Sequence, residues 1–329
     1  MDPDPDDSAK SRRSATALQS LHIDGGRGAM VAAAAGDIAA SRGFYTARTQ
    51  AMTVVSYHVI GNDGIDSDVL VRDLLELGRS SSFVYVNPSE EFRAWLAAAE
   101  DGARIASGVP SSEPATRVIP LGIWFREDPE RLVEATIEAT RIETLDASSI
   151  VVAAAVSGAI AACSHVMSGW DLLLAAQETA TRAIQALRPE RYRVAAFDRT
   201  AQVVDALGSS RSLVGKSYAE VAGLEINPSL VPAVAAIVMA AGTTGDPVMV
   251  IDDAARNGGV DAGVLTAAMV GARAGLRRWP WRVPNETWYA EIGRRLVIHE
   301  RELRDLPIPF AVEERIRSGR PSDPAAEID

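Results

Sequence analysis

The chain has one cysteine in 329 residues, few aromatic side chains (5%) and no excess of positive charge. With Cys163 alone, no intrachain disulfide can form, which fits a reducing compartment. Cys163 sits in an apolar helical run with nothing nearby to depress its pKa, so it reads as a buried structural thiol and not as a nucleophile. A net charge of −11 excludes a nucleic-acid-binding surface, which needs clustered Lys and Arg. Long apolar runs are missing as well. The longest, Ile150 to Cys163 and Leu230 to Ala241, are too short to span a bilayer and read as buried core helices, so no membrane role is expected. The opening Met1-Asp2-Pro3-Asp4-Pro5-Asp6-Asp7 has neither the basic start nor the apolar run of a signal peptide. The expectation is a cytoplasmic protein.

What is present is 47% hydrophobic and 23% charged, with alanine supplying much of the apolar content. Small side chains let helix axes approach closely, which suits helices packed on helices. Residues 1–20 are polar and without period, as are those beyond about 312, and both ends are expected to be disordered tails. Between them, residues 21–312 form one domain with recurrent helix punctuation. Asp68 is placed to cap a helix carrying Val71, Leu74 and Leu75, and Ser89 one carrying Phe92, Trp95 and Leu96. Asp128-Pro129-Glu130 combines a capping carboxylate, proline at the first helical position and an acid in the first turn; Asp246-Pro247 repeats the start. Asn285 opens a last helix with Trp288, Ile292 and Leu296 along one face. Ser82 to Val86 is the best strand candidate and is short, and residues 188–228 read as a looser connection. The fold class is therefore all-α, a compact orthogonal helical bundle.

Several constellations have ordinary readings. Gly61 to Asp68 is acid-rich but lacks the glycine and terminal glutamate of a calcium loop, so it reads as a solvated turn with a helix cap. Asp252 and Asp253 point about 100° apart on a helix, so at most one can face a cleft. The histidines, His22, His58, His165 and His299, form no i,i+4 pair and no triad order. Trp279-Pro280-Trp281 with Trp288 reads as packing of the last helix on the core.

A series of fragments has a common likeness. Gly28 to Asp37 is an alanine-rich helix ending in Gly36-Asp37, and Tyr45-Thr46-Ala47-Arg48-Thr49-Gln50 follows it. Next come Arg117-Val118-Ile119-Pro120-Leu121-Gly122-Ile123, the Asp128 to Arg141 helix, and the turn Glu143-Thr144-Leu145-Asp146. Val231 to Ile237, Asn257-Gly258-Gly259-Val260-Asp261-Ala262-Gly263 and Ala267 to Ala272 complete the series. In this order, from about Gly28 to Leu306, the chain resembles the ADP-ribosylglycohydrolase family of the dinitrogenase-reductase-activating type. The family's first metal motif reads Thr-Asp-Asp-Thr and its second Gly-Gly-Asp-x-Asp, and Thr144 stands where its Thr-His turn has histidine.

The resemblance implies two divalent cations, usually magnesium, between those motifs. Magnesium is a hard ion that needs oxygen ligands, and two close ions need several carboxylates. At the matching positions this chain offers Ala47, Arg48, Val260 and Ala262. Alanine and valine have no lone pairs to give, and arginine stays cationic. No metal and no other cofactor is therefore expected. Asp37, Glu113 and Asp261 remain as carboxylates for acid/base work, with Glu113 on the loop before Arg117, although a surface loop position is the commoner one for such a residue. Arg48 has two readings: an internal ion pair with Asp261 that replaces the ions, or bidentate capture of a phosphate or carboxylate. Thr46, Arg48, Thr49, Arg117, Asn257, Gly258 and Gly259 are the expected ligand-binding set, the glycines leaving backbone open to a ligand. The resulting expectation is a divergent family member that has lost the two-magnesium site. It would bind an ADP-ribose-like, nucleotide or glycoside ligand, or a protein partner, without the family's hydrolysis. Metal-independent chemistry on a small molecule, with Arg48 stabilising an anion, and a retained metal-dependent ADP-ribosyl-arginine hydrolase are the alternatives.

Overall fold

The two longest apolar stretches become the centre of the molecule. In the computed structural model, which describes residues 5–41, 43–79, 85–103, 106–163, 169–187, 194–279, 282–309 and 311, every residue of the helix Ala147–Cys163 is buried. In order, α1 (Pro5–Ser41), α2 (Ala47–Asn62), α3 (Ser67–Arg79) and α4 (Glu90–Glu100) precede two short helices, α5 (Glu113–Arg117) and α6 (Ile119–Trp124). They are followed by α7 (Pro129–Arg141), α8 (Ala147–Cys163), α9 (Gly169–Ala186) and α10 (Thr200–Ser209). The remainder is α11 (Tyr218–Val221), α12 (Val231–Gly242), α13 (Pro247–Ala274) and α14 (Glu286–Ile298). The described residues form no strand beyond the isolated bridges Ser107–Thr144 and Asp146–Ala195. The expected all-α bundle is what folds.

Small residues set its tightest seam. Along α1 and α13, Gly28 faces Gly271 and Gly36 faces Gly263, and a Cβ on either α1 glycine would run into the opposing carbonyl. Backbones this close leave no room for side chains at these positions, so the two helices pack backbone to backbone there. It brings the end of α1, with Asp37, alongside the middle of α13.

Local chemistry fixes the helix starts. Asp128 accepts from the Arg131 amide at 3.1 Å, Asp246 from Val248 at 2.9 Å and Ser89 from Phe92 at 3.0 Å, all as the sequence predicts. At α3 the cap is two residues earlier than expected: Asp66 Oδ1 accepts from the Asp68 and Val69 amides, and Asp68 lies in the first turn. Asn285 adopts a left-handed conformation and makes no side-chain cap. α1 extends back to Pro5, into the stretch for which a disordered tail is expected, and residues 16–21 on it are exposed. Residues 194–228 carry short helices, including the Ser217/Glu220 capping box that starts α11. Tyr85 and Val86 are not in a strand; Ser82 to Val84, like His165, Trp281 and the C-terminal stretch from 312, lie outside the described residues. None of the described helices is long and apolar enough to cross a membrane.

Candidate functional site

The site is built on the N-terminus of α2. Its first amides need acceptors, and Asp37, near the end of α1 and fully buried, supplies them. Asp37 Oδ2 accepts from the Thr46 amide at 2.8 Å, the Thr46 hydroxyl at 3.1 Å and the Thr49 amide at 3.3 Å. A carboxylate at a helix start also meets the positive end of the helix dipole. Burial pushes the Asp37 carboxyl above its ordinary range, against the pull of the hydrogen bonds from Thr49 and Thr46. Thr46 and Thr49 thus serve the junction of α1 and α2, with Thr46 Oγ1 also accepting from the Arg48 amide at 3.3 Å.

The segment before α4 docks on the same turn. Ala47 N–H donates to the Val86 carbonyl at 2.7 Å, and Gln50 Oε1 accepts from the Val86 amide at 2.9 Å. This presents the carbonyl of Asn87, itself at φ 46°, to the Arg48 Nη1, 3.0 Å away.

Asp261 reaches the site through a break in α13. Gly259 has φ 76° and ψ −164°, a conformation open essentially only to glycine, so the helix stops and restarts there. Asp261 lies in the first turn after the restart, where a carboxylate is favoured. Arg48 Nε donates to Asp261 Oδ1 at 2.9 Å, and Arg48 Nη2 is 3.7 Å from Glu113 Oε2. Glu113 opens α5; its amide donates to Ser111 Oγ at 3.2 Å, and the Ser111 amide donates to Ser149 Oγ at 2.8 Å. The expected surface position for Glu113 does not hold, since the residue is 3% exposed. Burial raises its carboxyl, opposed by the Arg48 charge. Burial works against the Arg48 guanidinium, but the charges of Asp261 and Glu113 outweigh it and raise its pKa.

Beneath this cluster, Arg117 Nη1 pairs with Glu143 Oε2, and its guanidinium lies 4.7 Å over the Phe92 ring. Arg117 is 1% exposed. Burial lifts the Glu143 carboxyl to about 7, the Arg117 charge pulling the other way. Thr144, next to it, is buried and donates its hydroxyl to the Ser107 carbonyl at 3.2 Å.

The structure therefore gathers Asp37, Thr46, Arg48, Thr49, Glu113 and Asp261 around one guanidinium, with Arg117 a layer below. Asn257 stands apart: its side chain is exposed and donates to Asp253 Oδ1 at 2.6 Å. Gly258 is covered by the Tyr218 ring, which a Cβ at 258 would strike. Tyr218 was not singled out by sequence, and neither were Asn87 and Glu143. Burial, and then the Asp261 charge, raise the Tyr218 hydroxyl above its ordinary range. Its one legible sign is the Ser217-x-x-Glu220 capping box that opens α11. The remaining constellations keep their ordinary readings: Asp252 pairs with Arg256 at 2.9 Å, Asp253 accepts the Tyr218 amide at 2.8 Å, and Cys163 is buried with its thiol pushed up to about 12.

With this geometry in hand, the relatives are informative. The ADP-ribosylglycohydrolase family model matches residues 9–314, and the chain belongs to that family. Among solved structures, a chain described as "ADP-ribosylglycohydrolase-related protein complex" superposes with a TM-score of 0.63 at 13% identity, covering 85% of this chain and 99% of that one. At that identity the likeness speaks for the fold alone. Comparison with curated proteins returns no match.

Proposed function

We propose that this family member binds an ADP-ribose-like ligand in the family cleft without a pair of divalent ions, the Arg48 guanidinium taking their place. One observation carries the reading. A cation already sits among the carboxylates, with Asp261 at 2.9 Å and Glu113 at 3.7 Å. Two magnesium ions bring four positive charges and require several carboxylate oxygens free to ligate them. Here Asp37 Oδ2 is committed to the α2 N-terminus, which leaves only its Oδ1 and Glu113 Oε1, among the cluster's carboxylates, as buried oxygens without a hydrogen bond, and Asp261 is bound to a group that cannot give up its charge. Among the described residues, no group of three or more His, Cys, Asp or Glu is arranged to hold a metal. This donor set does not fit two divalent ions.

The chemistry that remains is recognition. Arg48 has guanidinium donors beyond the two hydrogen-bonded to Asp261 and Asn87, and a pyrophosphate or carboxylate would accept from them with charge assistance. Gly259 offers backbone at the break in α13, and the Tyr218 ring that covers Gly258 gives an apolar face beside it. Asp37 is a positioning group in this scheme: it holds the turn that aims Arg48. Titration calorimetry with ADP-ribose in chelator is the test. Binding that persists without metal and is lost in Arg48→Ala supports the reading; binding that appears only on adding magnesium refutes it.

A further inference from the structure

A cavity of about 480 Å³ lies between α3, α4 and the C-terminal end of α7. It shares no lining residue with the Arg48 cluster. Its volume falls in the range of small-molecule sites, roughly 300–1,000 Å³. The walls are apolar, with Val71 and Leu75 from α3 and Ile142 and Leu145 beyond α7. Trp95 forms the floor and is held from two sides. Its indole N–H donates to the Ile142 carbonyl at 2.6 Å, and its ring stacks on Phe92 with centroids 5.5 Å apart and planes 9° apart. Phe92 is in turn capped by the Arg117 guanidinium, so the floor is fixed before any ligand arrives.

The polar lining has a sign. Two guanidiniums, Arg72 and Arg141, line the cavity against one carboxylate, Glu138, which already accepts from the Ser67 hydroxyl at 3.1 Å. Arg72 makes no ion pair or hydrogen bond among the described residues. In a chain of net charge −11, a preformed apolar cavity with a cationic excess is selective by electrostatics. We propose that this cavity is a second ligand site, taking a small organic anion whose apolar body lies against Val71, Leu75 and Leu145 and whose carboxylate or phosphate meets Arg72. A carboxylate or phosphate presents two oxygens to a guanidinium fork, and an apolar body suits the aliphatic walls. The proposal is independent of what the Arg48 cleft binds.

Titration calorimetry on the full chain tests it, with phenyl phosphate, benzoate and benzylamine as probes. The two anions bind and the cationic amine does not. Arg72→Ala weakens phenyl phosphate by about tenfold, the loss of one charge-assisted contact. Ala99→Leu, which adds bulk at the cavity wall without touching a charge, weakens both anions alike; Leu75→Phe serves the same purpose should that variant unfold. No heat from either anion up to about 10 mM, equal binding of benzylamine, or binding abolished by Arg48→Ala but not by the cavity variants would overturn the proposal.

Discussion

Arg48 and Arg117 sit one layer apart and solve the same problem, a guanidinium near acids, in opposite ways. Arg117 is sealed, with one acid, Glu143, on one side and the Phe92 ring on its face. The Arg48 side chain keeps 14% of its surface in contact with solvent and has Asp261, Glu113 and the Asn87 carbonyl around it. A sealed pair can only hold structure together, because no solute reaches it. An acid-surrounded guanidinium at an opening can exchange one partner for a ligand. The sequence assigned ligand binding to both arginines; burial gives the two different work.

The largest effect that would break this contrast is on stability. Arg117→Met leaves Glu143 buried without its partner and is expected to cost about 3–5 kcal/mol in urea unfolding at pH 8. Less is lost near pH 5, where Glu143 is neutral. If the variant is as stable as the native chain at pH 8, the Arg117–Glu143 pair is not structural.

A smaller effect concerns pH. The Glu143 carboxyl sits at about 7 in the folded chain against an ordinary value of 4.5, so the folded state holds a proton that the unfolded state has released between those values. The stability that this group contributes is fully present below about pH 4.5, falls as pH rises towards 7, and is constant above. Asp37 and Glu113, also raised by burial, act in the same direction. The melting temperature of Glu143→Gln, followed across this window, should lose part of the decline seen in the native chain. An unchanged profile would mean that Glu143 titrates normally.

The smallest expected stability effect belongs to Arg48. Arg48→Ala should cost less than Arg117→Met by denaturant titration, since the Arg48 and Asp261 side chains keep 14% and 17% of their surface in water. Its effect on ADP-ribose binding should be total. A large stability loss with intact binding would reverse the roles assigned to the two arginines.

Much of the fold was legible because local rules govern it. Aspartate or serine followed by proline or acid fixes the starts of α4, α7 and α13 wherever the chain goes. The same rule failed by two residues at α3, where Asp66 and Asp68 compete for the cap and only Asp66 reaches the free amides. The motif order placed Asp37, Arg48 and Asp261 together. Glu113 came within reach of them as well, although its burial was not expected, because a short loop gives no periodicity from which burial can be read. Long-range pairing was illegible throughout. Nothing in the spacing from Arg117 to Glu143, or from Gly258 to Tyr218, marks them as neighbours, since helix packing alone brings them into contact. The Gly259 break was half legible: a glycine pair suggests freedom, and only the packed structure shows which of the two uses it.

The measurement that bears most directly on the central claim is a calorimetric titration of the native chain with magnesium and manganese, beside Arg48→Asp combined with Val260→Asp and Ala262→Asp. The native chain should bind neither metal, and the triple variant should show measurable affinity, since carboxylates return and the guanidinium is gone. Micromolar magnesium or manganese binding by the native chain would contradict a site in which Arg48 replaces the ions.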